Sequence, residues 1–146
     1  MEGLVADLSR LQEVEDLAEA IAGRADSLDV LINNAGVLNV ADPITPEGLD
    51  VRFVVNTIAP YRLTQRLLPC VKSARGRVVL VSSVDGLVSL PGNAAYDASK
   101  FAIEAFADAL RAEHPGMADR ALELGVRAAA ERGVQWESPL SEWLLA

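Results

Sequence analysis

Tyr96 and Lys100 stand four residues apart in the run YDASK, between a loop with two serines and a stretch with helical periodicity. On a helix that spacing stacks both side chains on one face. A free tyrosine keeps its proton until about pH 10, and an ammonium beside it favours the phenolate. Such a tyrosine can pass a proton to or from an alcohol or a ketone. The plain alternative is a solvated lysine one turn from a half-buried tyrosine, and the spacing alone does not choose between them. Three more places bear on the choice. Ser83 ends an apolar run thirteen residues before Tyr96, where a hydroxyl could face the phenol and hold a substrate oxygen, or merely open a loop. NNAG, residues 33–36, is either an ordinary turn or a wall of small residues along a flat ligand. Asn56 has Pro60 four residues on. Proline has no N–H, so in a helix the Asn56 carbonyl loses its partner and is free to hold a water, or the helix merely kinks there.

The elements that must position these residues alternate. GLVAD (3–7) reads as a short strand, and Ser9 as the cap of a helix from Leu11 to about Gly23, with Val14, Leu17, Ala18 and Ile21 on its apolar face. LDVLINNAG (28–36) is a continuous apolar run, the pattern of a strand buried on both faces. Thr45-Pro46-Glu47 predicts the start of a helix that runs to about Leu68, with Pro69 as its stop. RVVLVSS (77–83) is a second buried strand, and a helix follows from about Ala94 to Glu113. This alternation predicts an α/β fold with a parallel sheet. In such sheets ligands bind at the carboxyl ends of the strands, where Asp7, Asn33 to Gly36, Ser82 and Ser83 stand.

Composition narrows the classes further. The chain has 146 residues, 51% of them hydrophobic, a net charge of −8 and a single cysteine and histidine, Cys70 and His114. The acidic balance argues against nucleic acid, and one cysteine with one histidine argues against a disulfide framework or a metal site. The apolar stretches are too short to span a membrane, and the first residues lack the pattern of a secretory leader. A cytoplasmic protein is expected.

Asp7-Leu8, NNAG, Asn56, Ser83 and YDASK agree in order and spacing with one family: over about residues 3–113 the sequence resembles the classical short-chain dehydrogenase/reductases, NAD(P)-dependent oxidoreductases on a Rossmann-type fold. The resemblance implies hydride transfer between a nicotinamide and an alcohol or carbonyl substrate, with NAD or NADP as cofactor. It implies that Tyr96 is the general acid/base, that Lys100 eases its deprotonation and hydrogen-bonds the nicotinamide ribose, and that both touch the cofactor. Ser83 would orient the substrate carbonyl and Asn56 would hold a water in a relay to Lys100. Asp7 would lie near the adenine, and Asn33, Ala35 and Gly36 would line the adenosine side. In the family the helix after NNAG and the YxxxK helix also pack against a second subunit. Helices 45–68 and 94–113, with Tyr61, Leu68, Phe101, Ala105 and Ala109, are therefore the expected homo-oligomer surface.

The pattern departs from the family at both ends. No Gly-rich turn of the TGxxxGxG type occurs, and that turn brings backbone N–H groups to the pyrophosphate. The expectation is a family member truncated at its N-terminus, with a partial domain over 1–113 and a divergent helical tail over 114–146. As given, such a chain is expected to be inactive. The alternative is a non-catalytic remnant that serves as a packing or interaction module. With the family's first strands missing, the strand at 28–34 would have an open edge. Moving 3–7 into that place predicts a three-stranded parallel sheet ordered 3–7, 28–34, 77–82, whose outer edge stays open unless the tail covers it.

Overall fold

Two short apolar runs form the sheet. In the computed structural model, which describes residues 3–115 and 117, they are β1 (Val30–Asn33) and β2 (Arg77–Leu80). They pair in parallel, with Val30 opposite Arg77 and Asn33 opposite Leu80. Side chains alternate along a strand, so Leu31, Asn33, Val78 and Leu80 share one face. Helices α3 (Ala59–Ser73) and α4 (Ala94–Glu113) cover that face. Val78 and Leu80 are buried there with Val71, Ile103, Ala107 and Leu110, and Leu31 packs against them. The other face carries Val30 and Ile32, which are 50% and 61% exposed. The expectation of burial on both faces is thus corrected. Both helices lie on the same side, and among the described residues nothing covers the other.

The three-stranded order is corrected as well. Among the described residues the sheet has two strands, and 3–7 is unpaired, with Val5 fully exposed. The reason lies in α1 (Leu11–Ala22). A crossover helix between neighbouring strands must lie on the sheet, but α1 buries Val14 and Ala18 against Ala59 and Leu63 of α3. Arg62 and Arg66 of α3 both donate to the Glu15 carboxylate. Side-chain packing on α3 therefore decides where 3–7 goes. Nor does Ser9 cap α1: its N–H and hydroxyl both donate to Asp7, while Glu13 reaches back to the Asp7 N–H.

The second helical stretch starts later and ends later than its sequence predicts. Thr45 to Leu49 is a turn, in which Gly48 donates to the Thr45 carbonyl and Thr45 to that of Leu49. Asp50 caps α2 (Val51–Phe53) by accepting from the Arg52 N–H. A π turn (Val54–Ile58) then leads into α3. Pro69 lies inside α3 and does not stop it. Pro69 and Gln65 are both on the exposed side, where water can take over the Gln65 carbonyl that proline leaves unpaired.

One turn admits no side chain. A Cβ on Gly76 would stand 2.2 Å from the Leu28 carbonyl oxygen. This close approach brings Arg77 N–H to the Asp29 carbonyl and opens the β1–β2 pairing. At the other edge, the Val78 N–H donates to the Met117 carbonyl. Apart from His114, Pro115 and Met117, the expected helical tail over 114–146 lies outside the described residues. No helix among the described residues is long and apolar enough to cross a membrane.

Candidate active site at the carboxyl ends of the strands

Asn56 organises the site. It sits in the π turn, is 2% exposed, and spends its whole amide on neighbours. Its Oδ1 accepts from the Val37 N–H at 2.8 Å, and its Nδ2 donates to the Val37 carbonyl at 2.9 Å and to Ser99 Oγ at 3.0 Å. Ser99 Oγ in turn donates to the Tyr96 carbonyl at 2.6 Å, and Thr57 Oγ1 donates to the Ser99 carbonyl at 2.8 Å. The loop after β1, the π turn and the first turn of α4 are thereby tied together through side chains. Pro60 explains why the chain is free to take a π turn here: the Asn56 carbonyl has no N–H four residues on.

Tyr96 and Lys100 lie on the turns of α4 held by this network. Lys100 is 5% exposed, and its Nζ donates to the Val81 carbonyl at 3.0 Å, just past the end of β2. The same Nζ lies 5.7 Å from the centre of the half-buried Tyr96 ring. Burial pushes the Lys100 ammonium below the usual lysine range, and the charge of Glu104 works against that shift. Gly36 borders both: a Cβ there would lie 3.5 Å from Asn56 Oδ1 and from Lys100 Nζ.

The other sequence-predicted residues are placed as follows. Ser83 follows β2 in extended conformation, and its Oγ accepts from the Asp85 N–H at 3.2 Å. That leaves its O–H free to donate. Asn33 is buried, and its Nδ2 donates to Thr64 Oγ1 at 3.2 Å, so its side chain faces α3. Asn34, Ala35 and Gly36 are exposed. Asp7 gives its carboxylate to Ser9, with Arg10 alongside; the hydrogen bonds from Ser9 hold it below the usual carboxylate range. Sequence reasoning missed Ser99 and Asp97. Ser99 has no spacing signal, since its role depends on a partner 43 positions away. Asp97 is buried, and its Oδ2 accepts from the Leu90 N–H at 2.7 Å, which ties the loop between Ser83 and Tyr96 to α4.

The sequence matches the family model described as short chain dehydrogenase over residues 1–118. The chain belongs to the short-chain dehydrogenase family. It is 42% identical over 113 residues to dehydrogenase/reductase SDR family member 7B of Xenopus laevis, an alignment covering 75% of this chain and 35% of that protein. Over 129 residues it is 37% identical to the oxidoreductase YbbO of Escherichia coli K12, covering 84% of this chain and 48% of that one. A solved metagenomic short-chain oxidoreductase in complex with NADP superposes with a TM-score of 0.66 at 30% identity, covering 77% of this chain and 52% of the other. The chain thus spans about a third to a half of the length of these dehydrogenases. The fold is the Rossmann-type α/β fold of the family, and a nicotinamide is the family's cofactor. The donor set suits such a group: the Lys100 ammonium and Tyr96 hydroxyl are hydrogen-bond donors, next to an exposed Asn34–Gly36 backbone whose small residues permit close approach.

Proposed function

We propose that this chain carries the proton-transfer half of an NAD(P)-dependent oxidoreductase acting on an alcohol or a carbonyl compound. The observation behind this reading is the buried Lys100 beside Tyr96, with the turn that bears Tyr96 fastened to Asn56 through Ser99. The nicotinamide, when bound, supplies or accepts the hydride. Tyr96 gives its proton to the carbonyl oxygen during reduction and takes it back during oxidation. Lys100 stabilises the phenolate and donates to the cofactor's ribose. The free O–H of Ser83 holds the substrate oxygen. The Asn56 side chain is fully engaged, so a relay water falls to its main-chain carbonyl. Asp7 and the Asn33–Gly36 stretch stand on the adenosine side, Asn33 acting through its main chain.

The 146 residues contain no Gly-rich turn for the pyrophosphate, so by themselves they hold the cofactor weakly and turn over little. The exposed rings of Tyr61 and Phe101, on α3 and α4, mark the face proposed to meet a second copy of the chain. Titration of NADH and NADPH, followed by cofactor fluorescence, is expected to show no saturation in the low micromolar range. Tight saturation there overturns the weak-binding part. In any longer form that reduces a carbonyl, Tyr96→Phe is expected to remove nearly all turnover with the circular dichroism unchanged. Full turnover in that variant removes Tyr96 from the mechanism.

A further inference from the structure

Tyr96, Lys100 and Glu104 recur every four residues along α4, so one helix face carries a phenol, an ammonium and a carboxylate in succession. Glu104 has no part in the network around Asn56. It is half-buried, and its Cγ lies 3.2 Å from where a Cβ on Gly86 would stand. Its Oε1 is buried without a hydrogen-bond partner, as is the Oγ of Ser82 on the same side of Gly86. A carboxylate oxygen in that position is costly unless a positive charge offsets it. Lys100 has the converse problem: its ammonium is buried and makes one hydrogen bond, to the Val81 carbonyl.

The groups around Lys100 narrow the choice of counter-charge. Gly36 from the loop after β1, Asn56 from the π turn and the Val81 carbonyl are uncharged, and Tyr96 presents its ring. The acids on the elements around it are Asp85, Asp97 and Glu104. Asp97 accepts from the Leu90 N–H through Oδ2, and its Oδ1, like Glu104 Oε1, is buried without a partner. Glu104 stands one helical turn beyond Lys100 on the face that also carries Tyr96, and its charge works to keep Lys100 protonated.

We propose that Glu104 is a positioning residue, a buried counter-charge one helical turn beyond Lys100 that holds its ammonium charged beside Tyr96. Its consequence for catalysis rests on the oxidoreductase reading. Its effect on the charge of Lys100 does not rest on that reading.

The chain's two lysines make a direct test possible. In protein labelled with 13Cε-lysine, exposed Lys72 is the internal reference and Lys100 the probe. Glu104→Gln keeps the shape and removes the charge. The Lys100 titration midpoint is expected to fall by about one pH unit while that of Lys72 stays in place. Glu104→Asp keeps the charge on a shorter arm and is expected to give an intermediate midpoint. An unmoved Lys100 midpoint in a folded Gln variant overturns the proposal, and so does a midpoint in the Asp variant at or above the wild-type value. Both readings need no turnover, so their failure is distinct from failure of the oxidoreductase reading.

Discussion

The carboxyl end and the open face of the same short sheet differ sharply in how they are finished. At the carboxyl end, every polar atom of the Asn56 amide is paired, and Ser99 is fully buried between the π turn and α4. Along β1 the opposite holds: Val30 and Ile32 stand in solvent, and among the described residues β2 is the sole neighbouring strand. The polar site closes on itself because its partners all lie between the loop after β1 and the first turns of α4. The apolar face stays open because it needs a cover that no described residue supplies. The polar network and sheet completion are therefore separable in this chain, and substitutions should show it.

The largest effect is expected where the sheet begins. Gly76→Ala places a methyl 2.2 Å from a backbone oxygen, so neither atom can yield cheaply. The variant is expected to fail to fold or to lose more than about 4 kcal/mol in urea unfolding. A mild loss would mean that the β1–β2 turn relaxes, and the contrast between rigid and open regions would weaken.

Next comes the network. Asn56→Ala strips the Val37 N–H and carbonyl and the Ser99 hydroxyl of their partner. A loss of about 3 kcal/mol is expected, since buried polar groups left unpaired cost about 1 to 3 kcal/mol each. A loss within experimental error would show that water replaces the amide.

The Asp50 cap gives a smaller, pH-dependent effect. The Arg52 side chain holds the Asp50 carboxyl below the usual carboxylate range, against burial, and the Arg52 N–H adds to this. A folded value below the unfolded one, which is about 3.9, means that stabilisation is complete above that pH and is lost as pH falls through the folded value. Asp50→Asn retains a capping oxygen but does not titrate. Its urea midpoint is expected to fall less steeply between pH 5 and pH 2 than that of the wild type, and equal slopes would remove Asp50 from the acid response.

The smallest effect is expected on the open face. Ile32→Thr should change stability by no more than about 0.5 kcal/mol. Val78→Thr, on the covered face, buries a hydroxyl and should cost about 1 to 3 kcal/mol. Equal costs would mean that the face bearing Val30 and Ile32 is covered in solution, for instance by a second copy of the chain.

Much of this molecule was legible before its structure. The helix expected from about Ala94 to Glu113 spans Ala94–Glu113, because its apolar positions repeat with the helical period and nothing interrupts them. The pairing of Tyr96 with Lys100 follows from the same periodicity. Pro69 misled because a proline stops a helix only where the freed carbonyl cannot reach water, and that carbonyl faces the exposed side. GLVAD misled because its strand-like pattern says nothing about a neighbour, and α1 carries it to α3 instead of the sheet.

Local order and residue type determined the helix that bears Tyr96 and Lys100, the two apolar runs that pair, and the gathering of polar residues at their carboxyl ends. These rest on interactions within a few positions, which a linear pattern records. Tertiary structure alone decided that Asn56 reaches Ser99, that Lys100 is buried against Val81, and that one face of the sheet is open. Each of those depends on which helix lies over which strand. That choice is made by summed burial of side chains far apart in the chain, and no stretch of sequence carries it by itself.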